Sequence, residues 1–436
     1  KWEPTPPEFA DPLDPWFKTM RTLVLDSASQ FRPLPPITYD ETPNSPFYDQ
    51  VMQVYITSKN LTLEQKEIAA FWDCNPIKAW HQGHFVFNTR QISPGGHWLA
   101  LAKVGCDRIN ADMMQAIEVA ASVRMRTSPN PWVGCVIVTA DGQAFNGATE
   151  APGGRHAEVV ALDAARSANA QLRDATVYTT LEPCSHQGRT GPCTEALINA
   201  QVARVVSAIT DPDAQVGGQG FQALRNAGIN VEIGLCADLV NEQLRPYLHH
   251  RTTGRPFVIL KMASTLDGQT AAADGTSQWI TGEQARVAAH QLRAESDAIV
   301  VGAGTVRTDN PSLTTRLVDG PSPRRIVLGK VSADAKVHPC LEWDQPLPEL
   351  LDTLGAEGVL QLMVEGGPTV AASFHRENLI NQYVMYIAPA FMGGNDGTTL
   401  FRGPGSMSIN EMWRGTISSV RMVGDDIEIV VDNNSR

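Results

Sequence analysis

Short strand-like runs and helix-like stretches alternate along the chain from about residue 107 onwards, and this alternation limits the fold more than any other feature. Regular alternation indicates sheets covered by helices, because strands and neighbouring helices bury their apolar sides against each other. The series is interrupted once, between Cys236 and Pro256, where a connecting helix and linker contain Gly254 and Pro256 as breakers. We therefore predict two successive α/β domains.

The first series opens with a predicted helix whose buried face carries Met114, Ile117, Ala120 and Ala121. It continues with a strand at 133–138 that ends at the Asp141–Gly142 turn, a helix from His156, a strand at 175–180, a helix from Cys193, a strand at 202–209 and a helix at 221–227. This order predicts a three-layer α/β sandwich. The second series contains predicted strands at 257–262, 298–301, 325–328, 360–364, 383–387 and 427–431.

Composition narrows the class of protein. A length of 436 residues predicts two or three domains. The sequence contains no run of about 18 apolar residues, the length that is needed to cross a bilayer. The net charge of −12 argues against a nucleic-acid partner, which requires a basic face. The seven cysteines are odd in number and scattered, and no signal-peptide pattern is found, so we expect a cytoplasmic protein. We expect a small-molecule substrate, no membrane partner and a homo-oligomer.

The strongest chemical motif is His156-Ala-Glu158, followed by Glu182-Pro-Cys184 and then Cys193. One imidazole and two thiolates supply three zinc ligands and leave the fourth position for a water, as in catalytic sites. Glu158 stands at the predicted start of a helix, where its carboxylate can face that water without ligating the metal. A purely structural zinc clip is the alternative, but such a site is normally closed by a fourth Cys or His.

These motifs resemble the zinc nucleobase deaminases. Here eight residues separate the two cysteines, and the resulting loop PCSHQGRTGPC, from Pro183 to Cys193, resembles the deaminase half of the bifunctional riboflavin-pathway enzymes. The resemblance implies a cytidine-deaminase-like sandwich, Glu158 as the catalytic proton shuttle, and substrate contacts from Asn130, His186 and Arg189. It also implies hydrolytic deamination of 2,5-diamino-6-(5-phosphoribosylamino)pyrimidin-4(3H)-one.

Motifs of the second half resemble the reductase of the same family, whose fold is similar to dihydrofolate reductase. They are Lys261-Met-Ala-Ser-Thr-Leu-Asp-Gly268, Ser277-Gln-Trp-Ile-Thr281, the stretch from Gly302 to Pro311, and Glu365-Gly-Gly-Pro368. No G-x-G-x-x-G follows the first strand, so the usual dinucleotide fingerprint is absent. Gly366 and Gly367 instead connect a strand to a helix, where backbone N–H groups can approach a phosphate.

The resemblance implies NADPH as cofactor, which carries the hydride chemistry, and reduction of the ribosyl group to a ribityl chain. The implied NADPH contacts are Ala263, Trp279, Thr305, Asp309, Gly367, Pro368, Thr369 and Ser373. The implied substrate contacts are Ser277, Arg293, Leu313, Arg316 and Glu365. Arginines suit a sugar phosphate, because the guanidinium group recognises phosphate in a bidentate manner.

Residues 1–104 are rich in proline and aromatic residues, and we expect a mainly helical or irregular segment there. The stretches 44–48, 61–66, 71–76 and 92–98 resemble the helical front part of vanadium-haloperoxidase-like phosphatases. That family's catalytic motifs do not appear in the sequence, so we expect no activity from this segment. The predicted domains are this truncated segment at 1–104, a zinc-dependent deaminase at 105–250 and an NADPH-dependent reductase at 251–436.

Two other readings of the sequence remain open. The first is a zinc deaminase of another nucleobase or nucleotide with a non-catalytic C-terminal domain, which would release ammonia without oxidising NADPH. The second is a zinc-stabilised binding module, which would hold about one zinc ion per chain without turnover.

Overall fold

The computed structural model of the protein describes residues 111–186, 191–213 and 217–433. The haloperoxidase-like segment predicted at 1–104 lies outside the described residues, and so does Arg189 of the predicted deaminase site. Both therefore stay predictions.

The first half contains a five-stranded sheet of order β2-β1-β3-β4-β5. Strand β1 pairs antiparallel with β2 and β3, whereas β3, β4 and β5 are parallel. The elements, in chain order, are α1 at 111–121, β1 Gly134–Val138, β2 Ala144–Ala148, α2 Ala157–Ser167, β3 Thr176–Leu181, α3 Cys193–Asn199, β4 Arg204–Ile209, α4 Gln219–Asn226 and β5 Asn230–Ile233. The predicted strands and helices of this half are confirmed, and β2 and β5 are additional.

Helix α1 buries only part of the predicted face. Of the four predicted residues, Ala120 is fully buried and Ile117 half-buried, whereas Met114 is 39% exposed and Ala121 lies at the surface. Met113 and Ala116 are fully buried instead, because the two adjacent methionines gave no indication of which one points inward. The helix lies so close to β1 that a Cβ at Gly134 would come within 1.9 Å of the Ala116 carbonyl oxygen. Glycine is required at that contact.

The connecting stretch forms two short helices rather than one, α5 Ala237–Gln243 and α6 Arg245–Thr253. Helix α6 ends at Gly254, whose φ of 74° lies in the left-handed region that glycine adopts without cost. The second sheet begins three residues later.

The second half contains an eight-stranded sheet of order β10-β9-β8-β11-β6-β12-β15-β14, parallel from β10 to β12. Its elements are β6 Phe257–Thr265, β7 Gln269–Ala271, α7 Glu283–Glu295, β8 Ala298–Gly302, α8 Ala303–Asp309, β9 Arg324–Leu328, β10 Leu341–Trp343, α9 Leu347–Ala356, β11 Gln361–Val364, α10 Pro368–Arg376, β12 Gln382–Ala388, β13 Thr398–Thr399, β14 Thr416–Val423 and β15 Asp426–Asp432. All six predicted strands are confirmed.

Strand β6 is buried on both faces, as expected for a strand inside a parallel sheet. Val258, Leu260 and Met262 pack in one apolar cluster, while Phe257 and Ile259 pack in another on the opposite face. Because β6, β8 and β11 are parallel, their carboxyl ends lie at one edge of the sheet, where polar residues can converge.

Polar contacts join the two halves directly. Arg124, after α1, donates to the side-chain oxygen of Gln361 at 3.0 Å and forms an ion pair with Glu295 at 3.2 Å. At the end of α6, His250 Nε2 lies 2.9 Å from the carbonyl oxygen of Gly355. The two α/β domains are therefore packed together rather than joined only by a linker. Among the described helices, none is long and apolar enough to span a membrane.

Candidate functional site

The three predicted zinc ligands converge from separate elements. His156 is the residue before α2, Cys184 follows the end of β3, and Cys193 is the first residue of α3. The Nδ1 atom of His156 lies 3.5 Å from Cys184 Sγ and 3.4 Å from Cys193 Sγ. All three donor atoms lie within 4.8 Å of one another. The sequence prediction that these side chains share one centre agrees with this geometry.

The donor set fits a zinc ion. Tetrahedral zinc with Zn–N bonds of about 2.0 Å and Zn–S bonds of about 2.3 Å separates the nitrogen and sulfur ligands by roughly 3.5 Å. The observed nitrogen–sulfur distances of 3.4 and 3.5 Å match this value. Among the described residues, this is the one group of three metal-ligating side chains of this kind. A fourth tetrahedral position remains for the reaction.

The local electrostatics favour a thiolate. The backbone N–H of Cys193 donates to Cys184 Sγ over 3.4 Å. The pKa of the Cys184 thiol is lowered to about 4, first because the Cys193 thiol donates to it and further because His156 does so. The same contact with Cys184 raises the pKa of His156. A bound zinc ion would take the place of these protons, because zinc binds thiolate and neutral imidazole.

Glu158 lies in the first turn of α2 and is only 3% exposed. Burial, and after it the charge of Cys184, raises the pKa of its carboxyl group to about 7. A cation bound between His156 and the cysteines would lower that pKa again. With a cation bound, the carboxyl group would be ionised at neutral pH and could accept a proton from a metal-bound water.

Glu182 is a residue whose role was not predicted from the sequence. Its carboxylate is 4% exposed and accepts hydrogen bonds from backbone N–H groups around the start of α4, namely those of Asp211, Gly218, Gly220 and Phe221, at 2.9 to 3.3 Å. It thereby fixes the chain two residues before Cys184. The E-P-C motif was visible in the sequence, but the partners of Glu182 are set by tertiary structure.

Two of the three predicted substrate residues of this half, Asn130 and His186, belong to the described residues and lie in segments that meet at the same sheet edge. Asn130 is half-buried four residues before β1, and the antiparallel pairing of β1 with β3 puts the start of β1 beside the end of β3. His186 is exposed and follows Cys184 by two residues. Their positions are compatible with a pocket next to the metal centre, and their roles stay predictions.

In the second half, Arg293 and Glu365 form a bidentate ion pair. Arg293 Nε and Nη2 each donate to a carboxylate oxygen of Glu365 at 2.8 Å. Lys261, on β6, adds its ammonium group 3.8 Å from Glu365 and 5.7 Å from the centre of the Tyr386 ring. Burial tends to raise the pKa of Glu365, but Arg293 and Lys261 outweigh it and the net shift is downward. Lys261 is a functional candidate that we did not single out from the sequence.

The predicted phosphate turn, Gly366 and Gly367, connects β11 to the start of α10. The start of α8 lies beside it, because α8 follows β8, the parallel neighbour of β11. The backbone N–H of Gly367 donates to Thr305 Oγ1 at 3.1 Å, so two predicted NADPH residues are in contact. A Cβ at Gly366 would lie 2.7 Å from the Val370 side chain, so only glycine fits this turn. The positive end of the α10 dipole favours an anion here.

The remaining predicted reductase residues are more scattered. Trp279 is 66% exposed, with the Arg286 guanidinium 4.7 Å above its ring, and the Ser373 hydroxyl donates to the Thr369 carbonyl at 3.1 Å. Leu313 is buried, whereas Arg316 is exposed and donates to Ser312 Oγ at 3.2 Å. The other four residues lie as follows: Ala263 on β6, Asp309 at the end of α8, Pro368 at the start of α10, and Ser277, half-buried, between β7 and α7. Their contacts with ligands stay predictions.

Comparison with known proteins covers both halves. Residues 108–209 match the family described as cytidine and deoxycytidylate deaminase zinc-binding region, and residues 256–428 match the RibD C-terminal domain. The riboflavin biosynthesis protein RibD of Mycobacterium tuberculosis (strain ATCC 25618 / H37Rv) is 41% identical over 333 residues, covering 73% of this chain and 96% of the relative.

Two solved structures are similar over the same region. Acinetobacter baumannii RibD superposes with a TM-score of 0.70 at 37% identity, over 75% of this chain and 99% of the other. A diaminohydroxyphosphoribosylaminopyrimidine deaminase/5-amino-6-(5-phosphoribosylamino)uracil reductase from Thermotoga maritima gives a TM-score of 0.69 at 32% identity, over 74% and 98% of the two chains. The similarity to these proteins extends across both sheets.

Proposed function

The chain belongs to the RibD family of riboflavin biosynthesis proteins, and on that basis we propose which of its residues carry out the two reactions of the family. It is a bifunctional enzyme with a zinc deaminase domain and an NADPH-dependent reductase domain. The predicted fold class is confirmed, a cytidine-deaminase-like sandwich followed by a dihydrofolate-reductase-like domain. A deaminase with a non-catalytic C-terminal domain is not favoured, because the relatives match through both halves.

We place the deaminase domain at 105–250 and the reductase domain at 251–436. The five-stranded sheet, from Gly134 to Ile233, falls within the first range, and the eight-stranded sheet, from Phe257 to Asp432, falls within the second. These ranges stay proposals, together with the inactive segment at 1–104.

The observation that carries the deaminase assignment is the convergence of His156, Cys184 and Cys193 beside the buried Glu158. A zinc ion held by these three ligands would supply a water molecule that loses its proton near neutral pH. The Glu158 carboxylate accepts the proton of that water and delivers it to the amino group that leaves as ammonia. Asn130, His186 and Arg189 hold the pyrimidine and its phosphorylated sugar.

In the reductase, the Gly367 turn would hold NADPH, which would supply the hydride. Arg316 contacts the substrate phosphate, while Arg293 and Glu365 orient the ribose beside the nicotinamide. The reduction also consumes a proton. Among Lys261, Arg293 and Glu365, the most suitable donor is Lys261. Burial lowers the pKa of its ammonium group, whereas an arginine does not release its proton in proteins.

Incubation of the protein with the diaminopyrimidine ribosyl phosphate, with and without NADPH, tests both activities at once. Ammonia should be released in both samples, and NADPH absorbance should fall only after ammonia has appeared, because the deaminated product is the substrate of the second domain. Ammonia release with constant NADPH absorbance would contradict the reductase assignment.

Replacing Arg316 by alanine is expected to raise the reductase KM for 5-amino-6-(5-phosphoribosylamino)uracil roughly 10- to 100-fold, because a charge-assisted hydrogen bond to phosphate contributes roughly 1.5 to 3 kcal/mol. Zinc content and ammonia release should not change. Arg324→Ala is the matched control, since Arg324 lies at the amino end of β9, whereas the proposed site lies at the carboxyl ends of the parallel strands. An unchanged KM in Arg316→Ala would rule out the phosphate contact.

The partner is a small pyrimidine substrate. A homo-oligomer and a cytoplasmic location remain our proposals. The location is supported by the cysteines, since none of the five in the described residues forms a disulfide, and disulfides are rare in the cytosol. Light scattering of the purified protein would measure the oligomeric state.

A further inference from the structure

One buried histidine of the reductase domain lies beside the proposed substrate residues and has no role assigned so far. His290 lies on α7, three residues before Arg293, so the two side chains share one face of the helix. The imidazole is only 4% exposed. Buried polar side chains at such a site need partners, and those of His290 are specific.

The contacts of His290 lead to the segment that carries Arg316. The backbone N–H of Arg316 donates to His290 Nδ1 at 3.1 Å. Arg293 Nη1 donates to the carbonyl oxygen of Thr314 at 3.2 Å. Helix α7 therefore holds the backbone of residues 313–316 at two points, one through each side chain.

This segment needs such support. Leu313 has a φ of 53°, a left-handed conformation that side chains with a Cβ adopt at a cost of about 1 kcal/mol or more. The guanidinium group of Arg316 is exposed, so its reach is limited mainly by where its backbone is fixed. A backbone anchor at Arg316 saves the entropy that would otherwise be lost when the side chain meets a phosphate.

The hydrogen bond also fixes the tautomer of the imidazole. A neutral histidine has one acceptor nitrogen, so acceptance at Nδ1 puts the proton on Nε2. The 3.4 Å contact between Nε2 and Arg293 Nη1 is then not a hydrogen bond, because a guanidinium group only donates, and Nη1 donates to Thr314 instead. Burial, together with the positive charges of Arg293, Arg316 and Lys261, lowers the pKa of His290 to about 4, although Glu365 opposes this. The neutral form, which alone can accept, therefore predominates at neutral pH.

We infer that His290 is a positioning residue of the reductase reaction, whose Nδ1 anchors the backbone of Arg316 so that the guanidinium group meets the phosphate of the ribosylaminouracil substrate. The inference rests on the proposed role of Arg316 and extends it to a residue that does not itself touch the substrate. Its effect should therefore appear in substrate binding and only through Arg316.

The test compares variants with and without an acceptor at the position of Nδ1. In His290→Asn, Oδ1 is the same number of bonds from Cα as Nδ1, whereas leucine has a similar size and no acceptor. We expect His290→Leu to raise the reductase KM for 5-amino-6-(5-phosphoribosylamino)uracil about fivefold, with kcat within about twofold, since a net hydrogen bond contributes roughly 1 kcal/mol. His290→Asn should keep the KM within about twofold of the parent protein. Ammonia release by the deaminase domain serves as the control for folding.

His290→Ala is a second acceptor-free variant, so the comparison does not depend on leucine fitting the site. If all three variants raise the KM equally, packing rather than the acceptor matters, and the inference is overturned. The double variant His290→Leu with Arg316→Ala tests whether His290 acts through Arg316, because His290→Leu should add nothing to the KM once Arg316 is absent. Additive effects would overturn the inference alone, whereas an unchanged KM in Arg316→Ala would overturn the proposed function of Arg316 itself.

Discussion

Replacing Glu158 by glutamine is expected to reduce ammonia release by roughly 100- to 10,000-fold, the range typical of a lost general acid–base, while the protein keeps its zinc. Glutamine has the same shape but cannot take up or deliver a proton. The three ligands His156, Cys184 and Cys193 are unchanged in this variant. Metal analysis together with an ammonia assay on the purified variant measures both quantities.

The control for this prediction is Glu195→Gln. Glu195 lies in the first turn of α3, two residues after Cys193, but is exposed, so the same chemical change there should leave deamination within about twofold. NADPH oxidation with the deaminated substrate should be unaffected in both variants. Substantial ammonia release by the zinc-loaded Glu158→Gln protein would remove the carboxylate from the proposed proton transfer.

The metal centre was predictable from sequence because its ligands stand in a motif with fixed geometry. His156 and Cys193 each mark the start of a helix, and Cys184 follows a buried strand, so the pattern of elements already brings them to one edge of the sheet. The predicted strands in both domains were confirmed for a different reason, since each is a largely apolar run.

What the sequence did not reveal depends on contacts between distant residues. Glu182 is bound by backbone groups about 30 residues further on, and His290 by the backbone of Arg316, and neither pairing follows any local pattern. Strands β10 and β13 were missed because they contain only three and two residues, and the eight-residue edge strand β14 was missed because its exposed face gives no buried apolar run. Arg293 was predicted to contact substrate, and the structure adds that its guanidinium group is already paired with Glu365.

Glu365→Gln is expected to affect both the stability of the reductase domain and its activity. Arg293 and Glu365 have side chains only 10% and 16% exposed, and breaking an ion pair so deeply placed costs about 3 kcal/mol or more, because Arg293 and Lys261 lose their counter-charge. For a domain of this size that corresponds to a fall of roughly 10 °C in the thermal midpoint. Reductase kcat/KM should fall on the order of 100-fold, the effect of losing one strong charged hydrogen bond. Ammonia release should not change.

The pH dependence of this variant separates the charge of Glu365 from its shape. The folded-state pKa of Glu365 lies below its ordinary value of 4.5, so the ion pair stabilises the parent protein fully above that value and loses this contribution as the pH falls through the lower, folded-state pKa. The difference in thermal midpoint between parent and Glu365→Gln should therefore be constant near neutral pH and narrow in acid. Glu357→Gln is the matched control, because Glu357 pairs with Arg324 at the surface, with both side chains more than 40% exposed, and should cost at most about 1 kcal/mol. Equal midpoints for the two variants at pH 7 would show that the Arg293–Glu365 pair does not stabilise the domain.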